Sequence, residues 1–218
     1  MHAYPPQRTR IKFCGMTRAE DIQRAIALGV DAIGLIMVPG SKRALGLDQA
    51  SVLRAAVPAL VHSVLLVMNA EPAFVRSAIH ALRPDLVQFH GDETPEFCAA
   101  FEVPFLKAVP MASVTSVAAY QRAYAQAAGF VFDSHAAGGQ GGSGHAFDWS
   151  RLPTERSHPL LLAGGLTPDN VQAAVRAVRP YAVDVSSGIE SAPGLKCPQR
   201  MQQFVDEVHH ADRSPSSQ

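Results

Sequence analysis

LLAGGLTPDNV (161–171) and, a helix length later, VDVSSGIE (183–190) are the two segments whose reading decides the fold of this chain. Each carries an apolar run into a turn of small residues and on toward an expected helix start. A strand that ends in Gly or Ser lets bare backbone N–H groups approach an anion, and a helix start adds the positive end of its dipole. Adjacent clamps of this kind after the last two strands of a (β/α)8 barrel are a recurrent phosphate site. The expectation is a TIM barrel whose mouth binds a phosphorylated small molecule.

Outward from these segments, short apolar runs alternate with longer Ala-rich amphipathic stretches, the pattern of βα units around a parallel sheet. Eight strands are expected, at 10–14, 32–37, 63–68, 86–90, 105–109, 130–133, 160–163 and 182–185. Helices are expected at 19–28, 48–56, 72–82, 95–101, 114–127, 168–178 and 198–209, with a short one near 148–152. Proline opens four of them, where its missing N–H costs nothing. Eight evenly spaced, buried strands close more economically into a barrel than into an open sheet, because closure removes the edges. The reading is one α/β domain, a single (β/α)8 barrel over 10–210, between polar tails at 1–9 and 211–218 that are expected to be flexible.

Composition narrows the function. At 218 residues the chain suits one compact barrel. Lys plus Arg is 19 and Asp plus Glu is 19, so no basic stripe marks a nucleic-acid binder. No run approaches the ~20 apolar residues of a membrane span, and the start MHAYPPQRTR has no signal-peptide core. Three cysteines, Cys14, Cys98 and Cys197, fit neither a disulfide framework nor metal-ligand spacing, so no zinc site is expected and a reducing cytoplasm suits the chain. No outward apolar stripe exceeds what the helices need to cover a barrel, so a monomer is expected.

The polar residues fall at the C-terminal ends of the strands, where barrel enzymes keep their chemistry. Cys14 ends the first strand in KFCGMT, placing a thiol at the mouth near a helix start, whose dipole favours a thiolate. The bland alternative, a small buried apolar residue, suits Cys98 and Cys197 better. Asp133 ends the sixth strand in GFVFDS, across the mouth from Cys14. An acid on one side and a base on the other can move a proton onto and off one small molecule. Lys12 points to the same side as Cys14 and needs a partner; Asp184 on the neighbouring eighth strand is the natural one, as a structural ion pair. Arg43, in the loop PGSKRALG, can grip a carboxylate with two hydrogen bonds. His90 ends strand four and either touches substrate or orients its loop. Asp169 is expected to cap or support the start of the seventh helix, and the Gly-rich connection 134–147 to act as a lid or ligand-wrapping loop.

With these residues assembled, the chain resembles the phosphoribosylanthranilate isomerase family from about 11 to 204. KFCGMT, QFHGDE, FDSHAAGGQGGSGHAFDW, LLAGGLTPDNV and VDVSSGIES all match family motifs, in order and at suitable spacing. The resemblance implies a (β/α)8 barrel and a cofactor-free Amadori rearrangement in tryptophan biosynthesis. It implies Cys14 as general base, Asp133 as general acid, and Arg43 on the anthranilate carboxylate. The phosphate would be surrounded by Gly142, Ser143, Gly144, Gly164, Gly165, Ser187 and Gly188. Two departures stand out: His145 where the family often has lysine, and Ser-Lys-Arg at 41–43 where it often has Ser-Pro-Arg. The sister isomerase of histidine biosynthesis resembles this chain in its phosphate clamp but uses two aspartates, against which Cys14 argues. A non-catalytic phosphate binder and a redox thiol protein are the readings from other classes; the latter lacks a resolving cysteine at the mouth.

Overall fold

The computed structural model describes residues 8–134, 147–154 and 156–213. Eight parallel strands close on themselves: β1 (Arg10–Cys14), β2 (Ala32–Ile36), β3 (His62–Val67), β4 (Leu86–Phe89), β5 (Phe105–Pro110), β6 (Gly129–Asp133), β7 (Leu160–Leu162) and β8 (Ala182–Val185), with β8 pairing back onto β1. The expected strands all form, and no end moves by more than one residue. Between them run α1 (Ala19–Ala27), α2 (Leu47–Ala55), α3 (Pro72–Leu82), α4 (Pro95–Ala99), α5 (Val117–Ala123), α6 (Pro168–Val178) and α7 (Pro198–Arg213). Pro72, Pro95, Pro168 and Pro198 open their helices as expected.

Alternation along each strand separates two cores. Phe13 faces outward and meets Phe204 of α7 edge-on at 6.0 Å, a pair worth about 1 kcal/mol beyond its buried area. Its neighbours Lys12 and Cys14 therefore face into the barrel. Val64, Leu106, Val131, Leu161 and Ala182 pack there as an apolar floor, and Cys14, Ile36, Val38 and Leu66 form a smaller cluster. The register sets Lys12 opposite Asp184 and Cys14 opposite Gly34.

Several expectations change. Helix α5 is shorter than 114–127, because the Ser116 side chain accepts a hydrogen bond from Ala119 N–H and starts the helix there. Between β6 and β7 the described residues hold a single 3-10 turn, Trp149–Arg151, in place of the short helix. After β8 the chain makes only a 3-10 turn, Ser187–Ile189, and then a hairpin, β9 (Glu190–Ala192) and β10 (Leu195–Lys196), that the sequence pattern does not announce. The last helix runs through 211–213, expected to be tail, and Asp212 accepts hydrogen bonds from Thr9 N–H at 2.8 Å and Thr9 Oγ1 at 2.7 Å. That contact ties α7 to the entry of β1. No helix among the described residues is long and apolar enough to cross a membrane.

Candidate active site

A cavity of about 560 Å³ opens at the C-terminal ends of the strands, and Cys14, Arg43, His90, Asp133, Gly164 and Ser187 all line it. The structure thus brings together residues from β1, β4, β6, the loop after β2 and the two clamps. Gly165 lines the same cavity, and Gly188 lies on an adjoining one of about 430 Å³ that shares Gly165 and Ser187 with it. Gly142, Ser143, Gly144 and His145 lie outside the described residues, as does the core of the connection 134–147.

The first clamp is built by backbone conformation. Gly164 and Gly165 take φ of +77° and +69°, a region open to glycine at little cost. Asn170 then locks the turn, accepting from Thr167 N–H at 2.9 Å and donating to Gly165 O at 2.9 Å. The cap of α6 is this Thr167–Asn170 box rather than Asp169, since the third helical position is the one whose side chain reaches back. The two clamps touch: a side chain on Gly188 would overlap the Leu166 carbonyl.

Cys14 is buried at the end of β1. Burial pushes its thiol above the ordinary value; Lys12 and Lys196 pull it down, and Asp184 pushes it further up. Burial opposes the thiolate expected from a helix dipole, and α1 starts only at Ala19, beyond an extended Arg18, whereas such dipole effects fade within a turn. Room for the sulfur comes from Gly34, where a Cβ would stand 2.6 Å from Cys14 Sγ. Beneath it, Lys12 Nζ donates to Asp184 Oδ2 at 2.9 Å, the expected pair, while Asp184 Oδ1 is buried without a hydrogen bond. Burial opposes the Lys12 charge, yet Asp184 and Cys14 beside it hold the ammonium above its ordinary value. The Asp184 carboxyl is pushed up, by burial first, with Lys12 pulling down and Asp133 adding to the rise.

Asp133 is buried at the end of β6, and His90 Nε2 stands 3.8 Å from its Oδ2. Gln88 Nε2 lies 3.1 Å from His90 Nδ1, so the imidazole is held between Gln88 and Asp133. The loop carrying His90 is pinned from outside the barrel. Lys107, fully buried on β5, donates to Gly91 O at 2.5 Å and to Glu93 Oε2 at 3.0 Å, while Glu93 accepts from Asn69 N–H and Gly91 N–H.

Arg43 is not a solvated loop arginine. Its Nε and Nη2 donate to Glu190 Oε1 and Oε2 at 2.7 and 2.6 Å. Lys196, with a fully buried side chain, donates to Glu190 Oε1 at 2.8 Å and also to the carbonyls of Cys14 at 2.7 Å and Ser186 at 3.0 Å. Burial opposes the Glu190 charge, but hydrogen bonds from Arg43 and Lys196 hold its carboxyl below the ordinary range. Arg43 and Lys196 thus share one carboxylate, and burial pushes the Lys196 ammonium below its ordinary value despite Glu190 beside it. Sequence reasoning missed Gln88, Glu93, Lys107, Glu190, Lys196 and Gly34. A lone lysine inside FLKAV was the available sign for Lys107; Glu190 closes the VDVSSGIE segment without any local sign of its partner, and Lys196 sits in a hairpin that no pattern marks.

The fold and this mouth define a barrel enzyme that acts on a small phosphorylated, anionic molecule by acid–base chemistry. Residues 11–207 match the family described as N-(5'-phosphoribosyl)anthranilate isomerase. The chain belongs to that family. It is 50% identical over 212 residues to the N-(5'-phosphoribosyl)anthranilate isomerase of Xylella fastidiosa, covering 95% of each chain. It is 52% identical over 207 residues to that of Stenotrophomonas maltophilia, covering 94% of this chain and 95% of the relative. Among solved structures, the phosphoribosylanthranilate isomerase of Thermotoga maritima superposes with a TM-score of 0.82 at 34% identity, covering 93% of this chain and 99% of that one. Another phosphoribosylanthranilate isomerase, in complex with reduced 1-(o-carboxyphenylamino)-1-deoxyribulose 5-phosphate, has a TM-score of 0.76 at 30% identity, with 93% and 99% covered.

Proposed function

We propose that this chain isomerises N-(5-phosphoribosyl)anthranilate to 1-(2-carboxyphenylamino)-1-deoxy-D-ribulose 5-phosphate, an Amadori step of tryptophan biosynthesis, with Asp133 as general acid and Cys14 as general base. The observation that carries the reading is that a buried thiol and a buried carboxyl from β1 and β6 line one cavity at the barrel mouth beside two glycine clamps. Asp133 gives its proton to the ribose ring oxygen as the anilino nitrogen pushes electrons into C1. The C1–O bond breaks and an iminium forms. Cys14 as thiolate then takes the proton from C2, and the resulting enolamine tautomerises to the ketone. The iminium is itself the electron sink for this step. Burial pushes the Cys14 thiol up while Lys12 and Lys196 pull it down, so in this reading these two lysines are the groups that favour the thiolate the step requires.

In this reading Arg43 holds the anthranilate carboxylate and His90 orients the acid side. Gly142, Ser143, Gly144, Gly164, Gly165, Ser187 and Gly188 surround the phosphate. The enzyme works as a monomer in the cytoplasm. The test follows the fluorescence of freshly generated phosphoribosylanthranilate with wild type, Cys14→Ala and Asp133→Asn. Consumption by wild type, lost in both variants while they melt cooperatively and bind the reduced product analogue, is expected. A folded wild type without turnover overturns the function, and either variant retaining more than about a tenth of the rate overturns its assigned role.

A further inference from the structure

The Arg43–Glu190 contact has a defined orientation. Glu190 takes the side edge of the guanidinium, Nε and one hydrogen of Nη2. Among the described residues Nη1 and the outer hydrogen of Nη2 have no hydrogen-bond partner, and together they form the end edge, a second parallel pair of donors matched to a second carboxylate. Arg43 sits in a loop without regular structure, so nothing in the backbone alone fixes where that edge points. Glu190 does. It is itself clamped by Lys196, whose other donors reach the carbonyls of Cys14 and Ser186. The stem of Arg43 crosses so close over Gly15 that a Cβ there would overlap its Cδ, so the glycine after Cys14 also serves this arrangement.

We propose that Glu190 is a positioning residue for substrate selection: by holding Arg43 side-on, it presents the end edge of the guanidinium to the ring carboxylate of the substrate, at a place set through Lys196 relative to Cys14. This rests on the function proposed above. Replacing Glu190 by glutamine removes one acceptor and turns an N–H₂ group toward two cations, so Arg43 is released from its side-on fork and the preference for a carboxylated ring falls.

The experiment measures binding of two probes by titration calorimetry, the reduced product analogue and its counterpart lacking the ring carboxylate, to wild type, E190Q and E190D. Wild type should prefer the carboxylated probe by about 30-fold or more, as expected of a charge-assisted bidentate contact. E190Q should lose about tenfold of that preference, with affinity for the other probe changing less than about threefold and the KM for phosphoribosylanthranilate rising more than kcat falls. E190D keeps both acceptors at shorter reach and should lose at least about threefold of the preference, which decides the matter if E190Q does not fold. Undiminished preference in either folded variant overturns the positioning role. Absence of wild-type turnover, by contrast, overturns the function alone, whatever the probes show.

Discussion

Replacing Lys12 by methionine separates the structural and electrostatic roles of the buried pair. The Lys12 and Asp184 side chains are 3% and 8% exposed, and their single contact is 2.9 Å. Methionine fills the volume of the stem but leaves Asp184 with neither oxygen bonded, since Oδ1 already has no partner. Breaking a buried pair by removing one member costs about 3–5 kcal/mol. For a domain of this size each kcal/mol lowers Tm by about 2–4 °C, so the fall should be about 6–20 °C at pH 8. The pH dependence identifies the cause. Burial raises the Asp184 carboxyl above its unfolded value, and loss of Lys12 raises it further. The variant's stability is therefore fullest at acid pH, where Asp184 is neutral, and is lost as pH rises through the raised value. One unit is worth about 1.4 kcal/mol, so going from pH 8 to pH 5 should recover up to about 4 kcal/mol relative to wild type. Adding Asp184→Asn should recover most of the loss at pH 8, because no buried charge is left. Denaturant melts of wild type and both variants at the two pH values measure this. A Lys12→Met protein within about 2 °C of wild type at pH 8, or a double variant no better than the single one, would refute the buried-charge argument.

Gly34→Ala should lower kcat by about 10- to 100-fold with little change in KM, because its Cβ, 2.6 Å from Cys14 Sγ, forces the thiol off its line to C2. Steady-state kinetics check it, and a kcat within about twofold of wild type would show that the sulfur has room to spare. Thiolate absorbance, read as wild type minus Cys14→Ala to remove Cys98, should place the Cys14 titration above about 8.5, since burial favours the neutral thiol. By linkage the thiol's share of stability is complete below the unfolded value and lost as pH rises through the folded one. A midpoint at or below about 8.5 contradicts the burial argument.

What the sequence disclosed follows from the range of the forces involved. Strand and helix positions depend on neighbours three or four residues away, and so does a glycine turn, which is why β1 to β8 and the Gly164–Gly165 clamp could be read within a residue or so. The Lys12–Asp184 pair, 172 positions apart, was legible only because barrel closure makes the first and last strands neighbours and an inward lysine must be neutralised. No comparable rule links Arg43 to Glu190 across 147 positions, because the second partner lies in a hairpin whose three-residue and two-residue strands are too short to show a period. The environment of the Cys14 thiol is hidden from the sequence for a related reason. Proximity in sequence to α1 suggested a stabilising dipole, whereas desolvation depends on everything that packs over Cys14 after the barrel closes. The groups proposed to act chemically are thus placed by local motifs here, and the groups that touch them come from distant segments joined by closure. Gly34 and Lys196 are therefore where substitutions should alter turnover without touching any of the motifs that carry the family resemblance, whereas Glu190 lies within one of them.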